Sequence, residues 1–118
     1  MIYAENMPCH IKSIERIDKQ KADILVSAKK AIVIDVRSLE EWQQGHLSNA
    51  IHIEWTDLES KIGEVSSYKK QTIFLYCQSG NRSEKALEIL KNLGYIKVIN
   101  LGGLSDAQEL LGVEVVKS

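Results

Sequence analysis

Cys77 is followed without interruption by Gln78, Ser79, Gly80, Asn81, Arg82 and Ser83, within the stretch FLYCQSGNRSEKALEIL from Phe74 to Leu90. A free thiol has a pKa of about 8.5, so at neutral pH it is mostly protonated and a weak nucleophile. A helix N-terminus and a nearby cation both shift that balance toward the thiolate. The residues from Ser83 onward have helical spacing, which makes 78–82 a loop leading into a helix start. Its N–H groups can turn inward as an anion-binding nest, Gly80 permits backbone that a β-carbon resists, and Arg82 adds a permanent positive charge. Such a loop can hold a thiolate and receive an anion, or carry a negative sulfur on the cysteine. A cysteine that ends an apolar strand is more often a small buried hydrophobe. The consecutive placing of thiol, glycine, arginine and helix start weighs the balance toward chemistry.

The elements that must position this loop are legible as two alternating periodicities. AIVIDV (31–36), AIHI (50–53), TIFLYC (72–77) and KVINL (97–101) are short apolar runs of the kind buried on both faces of a parallel sheet. A further short strand is possible near Ile11–Ile14. Between them lie helical patterns. Asp18 caps a helix to Lys30 with Ala22, Leu25, Val26 and Lys29 in register. Ser38 caps a short helix to Gln44, and Glu41 completes a capping box. Thr56 starts another through Leu58 and Ile62 that ends near Gly63. Ser83 to Leu93 is the strongest, with Ala86, Leu87, Leu90 and Leu93 on one face and Gly94 at the stop. This alternation predicts a single α/β domain, an open and mostly parallel sheet with helices on both faces. In such sheets ligands bind beyond the carboxyl ends of the strands. Cys77 lies at one such end and Asp35-Val36-Arg37 at another.

Composition narrows the field. The 118 residues fit one domain spanning 1–118, with 1–10 a loose N-terminal segment. A net charge of −1 gives no general pull toward nucleic acid or an anionic membrane, and no apolar run is long enough to span a bilayer. Cys9 and Cys77 make no disulfide framework. Neither they nor His10, His46 and His52 have metal-site spacing, so no metal is expected. The start lacks a basic segment followed by an apolar one. The compartment is therefore open: periplasmic if this is a mature or trimmed start, cytoplasmic otherwise.

CQSGNRS resembles the active-site loop of the rhodanese family of sulfurtransferases, Cys-x-x-Gly followed by small or basic residues. DVRSLEEWQQGHLSNAIHI (35–53) is similar to that family's first signature, and VINLGGL (98–104) to its C-terminal one. The likeness runs from about Ala22 to Leu111. The short chain and its NLGGLSDA ending resemble the phage-shock-protein-E-like thiosulfate sulfurtransferases in particular. The chain departs from the pattern at Leu104 and Ala107, where aromatic residues are common, at Asn49 in place of a glycine, and at Glu54 in place of a proline.

The resemblance implies a rhodanese-like fold and a ping-pong reaction. Cys77 takes sulfane sulfur from thiosulfate, or from a polysulfide or persulfide, and passes it as a persulfide to cyanide or a thiol. Gln78, Ser79, Gly80, Asn81, Arg82 and Ser83 bind the substrate, and Arg82 attracts a dianionic donor. Asp35 and Arg37 brace neighbouring loops, and Gly102 and Gly103 let the backbone pass close to the cysteine loop. His46 holds a turn, Trp42 and Trp55 are packing residues, and Cys9 is an incidental thiol. The partners implied are small-molecule donors and acceptors, with no cofactor, no nucleic acid and no membrane, and a monomer is expected. Two other readings stay open. Phosphatases and arsenate reductases of related architecture use a longer loop, whereas here Arg82 lies five residues after Cys77. Other rhodanese-like domains are interaction modules that have lost the cysteine, which this chain keeps.

Overall fold

The computed structural model describes residues 30–117 continuously, together with Gln20, Ala22, Leu25 and Val26, which are helical. The expected strand near Ile11–Ile14, the segment 1–10 and Cys9 lie outside the described residues. The chain then runs β1 (Ala31–Asp35), α1 (Leu39–Gln44), β2 (His46–Leu47), β3 (Ala50–His52), a 3-10 turn (Trp55–Asp57) and α2 (Leu58–Val65). It continues through β4 (Thr72–Cys77), α3 (Asn81–Asn92), β5 (Lys97–Gly103) and α4 (Leu104–Leu111) to β6 (Val115–Val116).

Among the described residues the main sheet has four strands in the order β3-β1-β4-β5, and every pairing is parallel. Side chains alternate across a strand, so each of these apolar runs feeds two cores. Ile34, Ile73, Leu75 and Cys77 point to one face, where Leu58 and Ile62 of α2 and Ala86, Leu87 and Leu90 of α3 cover them. Ala31, Val33, Phe74 and Tyr76 point to the other, against Ala22, Leu47, Ala107 and Leu111. This is the α/β domain expected, with helices on both faces. No helix among the described residues is long and apolar enough to cross a membrane.

Several boundaries differ from the sequence reading. The third helix starts at Asn81, two residues before Ser83, with Gly80 as its N-cap. The second begins at Leu58 and runs past Gly63 to Val65, because the backbone of Thr56 is already committed to the 3-10 turn. β5 continues beyond Leu101 through both glycines, and a further helix, α4, follows. A two-stranded antiparallel ribbon, β2 with β6, adds a small second sheet.

Candidate active site

The carboxyl ends of β1, β4 and β5 bring Asp35, Cys77 and Gly103 to one edge of the sheet. β4 and β5 pair in register up to Leu75 opposite Asn100, after which Cys77 stands opposite Gly103. The extra residue makes a bulge in β5 and turns its end toward the cysteine loop. The approach is close: a β-carbon at Gly103 would lie 2.3 Å from the Gln78 carbonyl oxygen. No side chain fits there unless the backbone of the loop moves.

Cys77 itself has no exposed surface. The loop nevertheless points donors at its sulfur. The Gly80 N–H lies 2.9 Å from Sγ and the Ser83 hydroxyl 3.4 Å from it. Gly80 achieves this with φ 97°, a left-handed conformation that glycine adopts without strain. The sulfur thus sits beneath the N-terminus of α3, twelve residues long, where unpaired N–H groups and the helix dipole favour negative charge. Burial alone would raise the thiol pKa. Hydrogen bonds from the Ser83 hydroxyl and from the N–H groups of Ser83, Ser79 and Gly80 outweigh it, and the pKa falls below the ordinary thiol value.

A lowered acid pKa means that the thiolate persists to lower pH than in an ordinary cysteine and reprotonates as pH falls through the shifted value. In ultraviolet thiolate absorbance, the difference between the wild type and Cys77→Ala should therefore titrate below the usual thiol range. Ser83→Ala removes the hydroxyl's hydrogen bond to the sulfur and should move that transition upward; an unmoved transition would remove Ser83 from this role.

Beneath the loop lies a buried residue that the sequence reading passed over. Asn100, with no exposed surface, uses its whole amide. Its Oδ1 accepts from Ser83 Oγ at 2.7 Å and from the Gly102 N–H at 2.8 Å, and its Nδ2 donates to the Gly80 carbonyl at 3.2 Å and to Glu84 at 3.1 Å. Asn100 therefore ties Gly102 of β5 to the loop. A polar residue in the middle of the apolar run VINL was the available signal.

Asp35 and Arg37 form a second buried unit, with 0% and 3% of their side-chain surface exposed. Arg37 donates to both Asp35 oxygens, through Nε at 3.0 Å to each and through a terminal nitrogen at 2.7 Å. The same guanidinium reaches the Gly45 carbonyl and, at 3.3 Å, Gln78 Oε1. It joins the start of β2 to the cysteine loop. His46 bonds the Trp42 carbonyl through Nδ1 at 2.7 Å and stacks on the Trp42 ring at 3.4 Å. The Tyr76 hydroxyl, its pKa raised chiefly by burial, accepts the Leu47 N–H.

Arg82 does not stand as a free cation. Its guanidinium binds Glu41 of α1 through two hydrogen bonds, at 2.6 and 2.8 Å. Glu41 also accepts from the Ser38 N–H and hydroxyl, completing the capping box expected there. Its carboxyl pKa is lowered to about 2, first by Arg82. Gln78, Ser79 and Asn81 are exposed, Arg82 is half-buried, and Gly80 and Ser83 are buried. Beside the loop opens a cavity of about 420 Å³ lined by Arg37, Glu41, Gln44, Gly45, Gln78, Leu104 and Val115. Among the described residues, no group of His, Cys, Asp and Glu is placed to hold a metal ion.

The family model for the rhodanese-like domain matches residues 15–109. The chain is 41% identical over 73 residues to the thiosulfate sulfurtransferase PspE of Escherichia coli, covering 62% of this chain and 70% of that protein. It is 34% identical over 93 residues to the adenylyltransferase and sulfurtransferase UBA4 of Candida albicans, covering 73% of this chain but only 21% of that longer protein. Among solved structures, a rhodanese with anions from E. coli superposes with a TM-score of 0.68 at 36% identity, covering 75% of this chain and 99% of that one.

Proposed function

Because the chain belongs to the rhodanese-like domain family, we propose that it is a sulfurtransferase that carries sulfane sulfur as a persulfide on Cys77. The observation that carries this reading is the ring of donors aimed at one sulfur atom, the Gly80 N–H at 2.9 Å foremost. The Cys77 thiolate attacks the outer sulfur of thiosulfate. A new sulfur–sulfur bond forms, the old one breaks, and sulfite leaves with the bonding pair. The persulfide keeps one negative charge on its terminal sulfur, which the amides of 78–82 and Ser83 stabilise as an oxyanion hole stabilises oxygen. Cyanide or a thiolate then attacks that terminal sulfur, and the Cys77 thiolate departs as the leaving group.

Gln78, Ser79 and Asn81 form the outer rim that meets the donor, with the Glu41-paired Arg82 beside them, while Gly80 and Ser83 line its floor. Asp35, Arg37, Gly102 and Gly103 hold the loop in place. The E. coli relative named a thiosulfate sulfurtransferase supports thiosulfate as donor.

Intact mass spectrometry after incubation with thiosulfate tests the reading. The expected species is heavier by one sulfur atom, maps to Cys77, and loses the addition on treatment with cyanide. An absent adduct, together with turnover of a simple aryl phosphate, would replace sulfur transfer by phosphatase chemistry.

A further inference from the structure

We propose that Glu41 is a specificity-determining residue that selects sulfur donors by charge, withholding Arg82 from the dianion thiosulfate and so favouring singly charged donors of the persulfide class. The inference rests on sulfur transfer at Cys77.

Among the described residues, both guanidinium groups that meet the cysteine loop already carry a carboxylate. Arg37 is matched by Asp35 and Arg82 by Glu41, each through more than one hydrogen bond. A bidentate pair fixes the guanidinium in orientation as well as in charge. Glu41 is itself held from behind, since its Oε1 accepts the Ser38 N–H at 3.1 Å and the Ser38 hydroxyl at 3.0 Å. Arg82 therefore points at α1 by construction.

The carboxylate also stands on the wall of the 420 Å³ cavity, with Arg37 and Gln78. With 29% and 31% of their side-chain surface exposed, Glu41 and Arg82 are shielded enough from solvent for their charges to be felt nearby. An incoming donor meets loop amides and two neutralised pairs in place of a net cation. The amides stabilise one negative charge on a sulfur. The second charge of thiosulfate finds no unmatched partner in either pair, and the attraction an unpaired Arg82 would exert, which rises in proportion to the donor's charge, is cancelled by Glu41.

Glu41→Gln separates charge from structure. Glutamine still accepts from Ser38 in a capping box and can still accept from Arg82, but the negative charge is gone. The assay compares thiosulfate with benzenethiosulfonate, a monoanion with the same kind of sulfane sulfur and a sulfinate leaving group. The expected result is a KM for thiosulfate lowered about ten-fold and a KM for benzenethiosulfonate lowered about three-fold, both gains shrinking at high salt. In Glu41→Gln combined with Arg82→Gln, the gain disappears. Equal KM changes for the two donors, or a gain that survives loss of Arg82, would overturn the proposal.

The unmodified protein supplies a second measurement. With both cations matched, its KM for thiosulfate should change little with ionic strength; a steep rise with salt would also overturn the proposal. A wild type that takes sulfur from neither donor would instead refute the underlying sulfur-transfer reading.

Discussion

Cys77→Ala is expected to abolish sulfur loading and turnover while leaving the fold in place. The rate should fall by roughly 10⁴-fold or more, to the background of the assay, because loss of a covalent nucleophile removes the whole pathway rather than one contribution to it. Stability should change little. The side chain is a small part of the core on the α2–α3 face, and its removal deletes one sulfur atom, at a cost of about 1 kcal/mol. Cys77→Ser should be equally inactive: the loop stabilises an anion at that point, but a serine hydroxyl stays protonated at neutral pH. Thermal melting separates the two effects, and peptide mapping after thiosulfate treatment locates any residual sulfur. Sulfur retained on Cys9 in the Cys77→Ala protein would sink the assignment of Cys77 as the carrier.

The features on which that expectation rests were unequally legible in the residues. The strand ending in Cys77 and the helix after it show plainly, because a run such as TIFLYC and the spacing of Ala86, Leu87 and Leu90 are local signals. The ring of amides was inferable from a glycine and a polar loop ahead of a helix. The closeness of Gly103 to Gln78 was expected in kind, but it depends on a bulge in β5, and a bulge exists only relative to a partner strand. α4 has Leu104, Ala107 and Leu111 at helical spacing with Gly112 after it, yet the paired glycines draw the eye to a loop. β2 and β6, at two residues each, are too short to show any period.

Charge pairing was the least legible. Glu41 reads locally as the third residue of a capping box, which it is. Its second bond, to Arg82, spans 41 residues of sequence and appears only when α1 is laid beside the start of α3. Arg82 therefore looked like an unmatched cation beside the thiol. The same applies to Asn100, whose hydrogen bonds to Gly80, Ser83 and Glu84 join β5 to the loop and the start of α3 across the fold. Local sequence reports backbone preference well; the partner of a polar side chain is a property of the assembled domain.

The largest expected loss of stability lies at Arg37. Asp35 is wholly buried, and Arg37 supplies it with side-chain donors to both oxygens in addition to its own backbone N–H at 2.9 Å. Arg37→Met keeps much of the packing volume but leaves a buried carboxylate without its countercharge, a loss of about 3–5 kcal/mol. For a domain of this size that corresponds to a fall in Tm of roughly 10–20 °C. Adding Asp35→Asn removes the stranded charge, so the double variant should melt well above Arg37→Met alone, and the shortfall from additivity measures the coupling. Activity should not return with stability, because Gly45 and Gln78 have both lost the guanidinium that joined them across the site. A melting point within a few degrees of wild type for Arg37→Met, or a double variant less stable than the single, would show that this pair is not what anchors the first strand to the cysteine loop.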